Sequence, residues 1–261
     1  MKKTLNYLLF SVFAALLTSC TTVSETGRHQ VNFVSSDQEM QLGLTSFEQM
    51  KKETPISKDA AANALVQKVG KKIAAVADLP NAQWEFVVFE SKEANAFCLP
   101  GGKVGVYSGI LPVTKDETGL ATVIGHEVAH AVAHHGAERM SQATLVQGGE
   151  QILGALSANA KPLTQQAVGL AYGLGAQVGV LLPFSRAQES EADHIGLKYM
   201  ARAGYNPASA VEFWERFSQY TSQAGGDTTP ALLRTHPVNS DRIADLKKWL
   251  PEAQKEMKAG K

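Results

Sequence analysis

The chain has 261 residues, with 25 Lys+Arg against 25 Asp+Glu. Zero formal charge leaves no electrostatic footprint for nucleic acid, and the length suffices for one sizeable domain with a real core. Neither an internal repeat nor a heptad array is present, which excludes solenoids and coiled coils.

The N-terminus reads as a targeting segment. Lys2 and Lys3 supply a positive region, and the mostly apolar run 5–17 is too short for a membrane span. It ends in Leu17-Thr18-Ser19-Cys20, which resembles a bacterial lipobox. Residues 1–19 are therefore expected to be a lipoprotein signal peptide, with Cys20 the lipidated first residue after cleavage. Thr21, in place of an aspartate, points to the periplasmic face of the outer membrane. Once Cys20 is acylated, Cys98 has no intramolecular partner, and its apolar surroundings make it a small buried side chain rather than a nucleophile.

Residues 20–36 are polar and unpatterned and read as a lipidated tether. Ser36 can cap a helix over 37–52, which Pro55 ends. A second helix over 58–77 carries Leu65, Val69, Ile73 and Val76 along one stripe. Trp84-Glu-Phe-Val-Val-Phe89 reads as a strand, and Asn95 to Gly102 leads through a Gly-Gly turn into a second strand over 103–107. Two strands here predict a small sheet packed on the helix that follows.

That helix, expected over 116–137, contains His126-Glu127-Val128-Ala129-His130. Histidines four apart project from one helical face and can reach a single metal ion, and the glutamate lies beside that face where it can touch water. Leu120, Val123, Ile124, Val128, Ala129, Ala131 and Val132 make the helix apolar nearly all round. Buried imidazoles and a buried carboxylate need partners, which a metal supplies. His134 extends the stripe toward solvent.

Residues 141–182 are expected to be helical in two pieces, broken near Lys161-Pro162. Lys161 is the only charge in 161–185, but Gln165, Gln166, Gln177 and several glycines weaken a membrane span, so soluble helices over the site are expected, with membrane contact as the alternative. Further helices are predicted over 186–202, 207–223 and 239–250, followed by a polar tail over 251–261. Within the first of these, Glu189 and Asp193 share a face. One could complete a metal site while the other orients a ligand histidine, and spacing does not say which. Glu191 is rotated away, and no histidine stands at the third position of a metzincin motif, which Gly136 occupies.

Several stretches together resemble the HtpX-like zinc peptidases of metallopeptidase family 48. They are Asn95-Ala-Phe-Cys-Leu-Pro-Gly-Gly, Val106-Tyr-Ser-Gly-Ile-Leu, His126-Glu-Val-Ala-His130, Ser185-Arg186 with Glu189-Ser-Glu-Ala-Asp193, and Thr235-His236-Pro237 with Asp241-Arg242. The resemblance implies a zinc metallopeptidase domain over 37–250 with a gluzincin-type α+β fold, mainly α. It implies one Zn2+ per chain on His126, His130 and Glu189, with Glu127 as base and Asp193 beside the ligands. His236 becomes a further catalytic candidate and Arg242 its companion. His135 matches a position that is not a ligand, and His29 and His194 read as surface residues. Asn95, Val104 and Val106 are expected to bind substrate, the strand over 104–107 acting as an edge for an extended peptide. The implied activity is endopeptidase cleavage of unfolded or misassembled envelope proteins in quality control. The alternative is a zinc-dependent chaperone or assembly factor for outer-membrane proteins.

Overall fold

The computed structural model describes residues 20–176, 181–224, 231–237 and 240–259. The leader expected over 1–19, and Gln177, lie outside them. The architecture is α+β and mainly helical, as expected, and the chain divides into two compact units.

One unit holds residues 20–36 and 134–188. Where a tether is expected, strands β1 (Cys20–Thr22) and β2 (His29–Val31) form an antiparallel hairpin pairing Cys20 with Val31. What fixes it lies far away in sequence. Arg28 donates two hydrogen bonds, of 2.8 and 2.9 Å, to the buried carboxylate of Glu138, and Phe33 N–H donates to Ser141 Oγ at 2.9 Å. A bidentate pair of this kind is among the stronger polar contacts.

The other unit holds residues 37–133 and 189–261. Helices α1 (Ser36–Glu53) and α2 (Ala60–Ala74) precede the sheet, and Asp59 caps α2 by accepting from Ala61 and Ala62 N–H at 2.9 and 3.0 Å. The sheet has three strands, β3 (Glu85–Phe89), β4 (Ala96–Leu99) and β5 (Lys103–Tyr107), in the order β3-β5-β4. β3 runs parallel to β5 and β4 antiparallel to it. Gly101 and Gly102 make the β4–β5 turn at φ +80° and +81°, a region L side chains avoid. Phe47 of α1 packs on Val87 and Phe89, while Phe86, on the opposite sheet face, packs against Gly70 of α2.

The topology corrects one expectation. β5 is the central strand, paired on both sides, and Val104 and Val106 are fully buried. Neither can receive a substrate strand, and the edge of the sheet beyond β5 is β4.

After the short α3 (Leu111–Thr114) comes α4 (Glu117–Val132), which packs against α2 and along β4. Asp116 caps it, accepting from Gly119 N–H at 2.8 Å. Every residue from Gly119 to Val132 is buried, as its all-round apolar pattern requires. α4 stops at Val132 rather than at 137, because His134 adopts a left-handed conformation with φ 54°. The next helix, α5 (His135–Ser157), starts afresh and is followed by α6 (Pro162–Ala176) in the first unit.

α7 (Leu182–Arg202) enters the second unit at Glu189, and α8 (Ala208–Ala224), α9 (Ala231–Thr235) and α10 (Ser240–Ala259) complete it. α10 continues through Pro251, so much of the expected polar tail is helical.

The crossing of α4 and α7 fixes the site's geometry. Gly196 faces Gly125 and His126 so closely that an added Cβ would lie 3.2 Å from His126 N and 3.3 Å from Gly125 C. Gly196→Val is expected to force the helices apart at a cost of about 1–3 kcal/mol and to weaken metal binding roughly tenfold by displacing Glu189 from His126. Thermal unfolding and zinc competition with a chelator check this. An unchanged melting temperature and affinity would show that the crossing gives freely.

Candidate metal centre

His126 and His130, one turn apart on α4, point their Nε2 atoms at one spot and stand 3.1 Å apart there. α7 brings Glu189 to the same spot. Its Oε2 lies 3.3 Å from His126 Nε2 and its Oε1 3.4 Å from His130 Nε2. His236, just after α9, adds Nδ1 at 3.3 Å from His126 Nε2 and 2.9 Å from both Glu189 oxygens. All four residues are buried, and one ligand atom from each lies within 4.8 Å of the others.

These separations fit a cation. Tetrahedral donors roughly 2.0–2.1 Å from a zinc ion stand about 3.3–3.4 Å from one another. Three ring nitrogens around one carboxylate also leave lone pairs facing one another unless protons or a cation intervene. Zinc therefore suits the donor set, with His126, His130 and Glu189 as holders and His236 within reach as a fourth.

The surroundings orient these donors. Asp193 Oδ1 stands 3.0 Å from His126 Nδ1, so it holds the proton on that nitrogen and leaves Nε2 to ligate. Arg242 grips Asp193 with two hydrogen bonds of 2.7 and 2.8 Å and donates to the His236 and Pro237 carbonyls at 3.2 and 3.1 Å. One guanidinium thus ties the α7 carboxylate to the segment bearing His236. Its Cζ sits 4.4 Å over the ring of buried Trp214, whose edge also meets His126.

Protonation follows from this packing. Burial by itself lowers the pKa of His126, but the hydrogen bonds and charges of Asp193 and Glu189 outweigh it and raise it to about 9. A cation and a proton thus compete for Nε2. Burial pushes the Glu189 carboxyl upward, but His130 and its neighbours hold it well below the usual carboxylate range. Burial likewise opposes ionisation of Asp193, and Arg242 reverses that.

Glu127 is buried beside the donors, with Oε1 3.6 Å from His236 Nε2. Arg186, from the Ser185-Arg186 stretch that carries part of the family resemblance, is exposed and belongs to the other unit. Glu191 and Asp193 are not among the four converging donors, and neither are His29, His134, His135 and His194. His29 instead meets Thr22, and His194 pairs with Glu252 and stacks on Trp249. Cys98 is half-buried rather than fully buried. Desolvation first, and then the charge of Glu127, pushes its thiol up, so it stays protonated. Asn95 immediately precedes β4, its backbone carbonyl accepting from Tyr107 N–H at 3.0 Å. Trp214 carries no signal in the sequence, because in the stripe Phe213, Trp214, Phe217 it is indistinguishable from ordinary core.

Two imidazoles from one helix and a carboxylate from a second match the donor set of the two-histidine, one-glutamate metallopeptidases, and Glu127 stands beside them as the base those enzymes carry. Residues 60–250 match the model of peptidase family M48, and the chain belongs to that family. It is 38% identical over 230 residues to the mitochondrial metalloendopeptidase OMA1 of Schizosaccharomyces pombe, covering 87% of this chain and 65% of that protein. It is 34% identical over 209 residues to the protein of the same name in Arabidopsis thaliana, covering 78% and 40%. With the beta-barrel assembly-enhancing protease of Escherichia coli (strain K12) it shares 27% identity over 244 residues, covering 90% and 48%. The chain thus spans less than two thirds of the length of each of these curated relatives.

Proposed function

We propose that this chain is a zinc-dependent endopeptidase that hydrolyses unfolded or misassembled polypeptides of the cell envelope. The observation that carries the reading is the convergence of His126, His130 and Glu189 from two helices, with Glu127 buried alongside. When bound, zinc supplies a positive charge that acidifies water and polarises a peptide carbonyl. The protein does the rest. Asp193 and Arg242 keep His126 in the ligating tautomer. Glu127 takes the proton of the attacking water and passes it to the leaving amine nitrogen. β4, at the edge of the sheet, offers its backbone to an extended peptide, with Asn95 at its start. The test is cleavage of an unfolded casein-type substrate, abolished by a chelator and restored by added zinc. Cleavage that survives complete removal of metal would refute the proposal.

His236 is best read as closing the resting site. It occupies a fourth donor position, and α9 just before it is held by a 3.2 Å hydrogen bond from Leu232 N–H to the carbonyl of Ala94, next to β4. Swinging α9 away would free the donor position and the approach to β4 together. His236→Ala is therefore expected to raise turnover of a short peptide several-fold. A fall of about 10²-fold or more would instead assign His236 to the reaction itself. The same closure supports a second reading, a zinc-dependent chaperone or assembly factor whose proteolysis is gated. Rescue of a deletion phenotype by Glu127→Gln would favour it.

For placement, the lipobox ahead of Cys20 supports acylation there and tethering to the periplasmic face of the outer membrane. The similarity to the beta-barrel assembly-enhancing protease of Escherichia coli supports an envelope role.

A further inference from the structure

Trp214 is fully buried on α8, braced by the rings of Phe213 and Phe217 with centroids 5.1 and 6.0 Å from its own. Two further neighbours are not core residues. The imidazole of His126 meets the indole in a T-shaped arrangement at 5.4 Å, and the guanidinium of Arg242 lies over the ring face with Cζ 4.4 Å from the centroid. Arg242 makes its hydrogen bonds in the plane of the guanidinium. Nε and Nη2 donate to the two Asp193 oxygens, Nη1 donates to the His236 and Pro237 carbonyls, and Nη1 also stands 3.4 Å from Glu189 Oε2.

Bonds from a planar fork fix where its edges point. Tilt out of that plane is left to whatever lies against its faces, and Trp214 supplies the support on one of them. The negative face of an aromatic ring attracts a cation, most strongly away from water, and Arg242 is buried. An aliphatic side chain could fill much of the same space but has no such face. A tilted Arg242 would loosen its grip on Asp193, whose Oδ1 stands 3.0 Å from His126 Nδ1 and selects the ligating tautomer. It would also loosen the backbone at His236 and Pro237. One indole thus bears on two donors, His126 through Asp193 and His236 through its own carbonyl.

We propose that Trp214 is a positioning residue of the metal centre: its ring face holds the Arg242 guanidinium level and so sets how firmly His126 and His236 are presented to a cation. It acts through the charge distribution of the ring, not through bulk. The effect on the cation rests on the zinc centre proposed above, whereas the support of Arg242 does not. The test uses the full chain carrying Trp214→Phe, Trp214→Leu, or tryptophans of increasing fluorine content placed at position 214 alone. Fluorine nearly keeps the shape of the ring and drains the negative charge from its face. Zinc affinity is read by chelator competition, and exchange of the Arg242 Nε–H with water is read by NMR on the metal-free protein. Trp214→Leu is expected to lower the affinity about tenfold, the low end for the outer support of a ligand, and Trp214→Phe less than about threefold. Affinity should fall stepwise with fluorine content, and exchange at Nε–H should quicken in the same order. Equal losses in Trp214→Phe and Trp214→Leu, or an exchange rate indifferent to fluorination, would overturn the proposal. The fluorinated chains decide it even if Trp214→Leu does not fold. Failure of the unsubstituted chain to bind zinc would refute the metal centre instead, and the exchange measured without metal would still decide the role of Trp214.

Discussion

Glu127→Gln is expected to lower kcat/KM about 10³-fold while leaving bound zinc unchanged. General base catalysis is worth roughly 10²–10⁴-fold, and a thousandfold loss corresponds to about 4 kcal/mol of transition-state stabilisation. The substitution keeps the size of the side chain and removes only its ability to take a proton. Glu127 is not one of the four converging donors, so metal content should stay the same. Its place on α4, directly after a donor histidine, leaves it no alternative position. The check is single-turnover cleavage beside zinc quantification on the same preparation. Near-normal cleavage by the variant would show that water is activated elsewhere. Loss of zinc would show that Glu127 is itself a ligand.

Glu189→Gln is expected to remove most of the bound metal, and with it all cleavage. The carboxylate carries the only negative charge among the four donors, and its oxygens stand 2.9–3.4 Å from nitrogens of three histidines. Losing an outer partner of a ligand typically costs 10–100-fold in affinity, and losing a donor should cost more. Asp193→Asn sets the scale, since Asp193 touches His126 only at Nδ1, on the side away from the donors. It should fall within that 10–100-fold range and leave a full zinc complement when metal is in excess. Competition against a chelator of known affinity separates the two. Equal losses in both variants would contradict the assignment of Glu189 as donor and Asp193 as its support.

The parts of this arrangement that could be read from sequence are those written in helical spacing. His126 and His130, the burial of α4, and the shared face of Glu189 and Asp193 all follow from period 3.6. Which of the two carboxylates faces the donors does not, and the family resemblance rather than spacing pointed to Glu189. What escaped depends on distant partners. The hairpin at Cys20–Val31 is held by Arg28 on Glu138, 110 residues further on. β4 is a four-residue strand ahead of a glycine turn, too short for its alternation to mark it, and without it β5 reads as an edge although it is the centre. The end of α4 is marked by His134 in a left-handed conformation, without the glycine that usually signals such a stop. The polar composition of 251–261 reads as a tail, whereas the helix continues through Pro251 to Ala259. Trp214 gains its contact with Arg242 and His126 only when α4, α8 and α10 meet.

The decisive measurement is anomalous diffraction at the zinc absorption edge from crystals of the zinc-loaded full chain. One peak is expected per chain, about 2.0–2.2 Å from His126 Nε2, His130 Nε2 and a Glu189 oxygen. An ion held elsewhere, or these three side chains turned away from it, would contradict the proposed centre and the peptidase chemistry built on it.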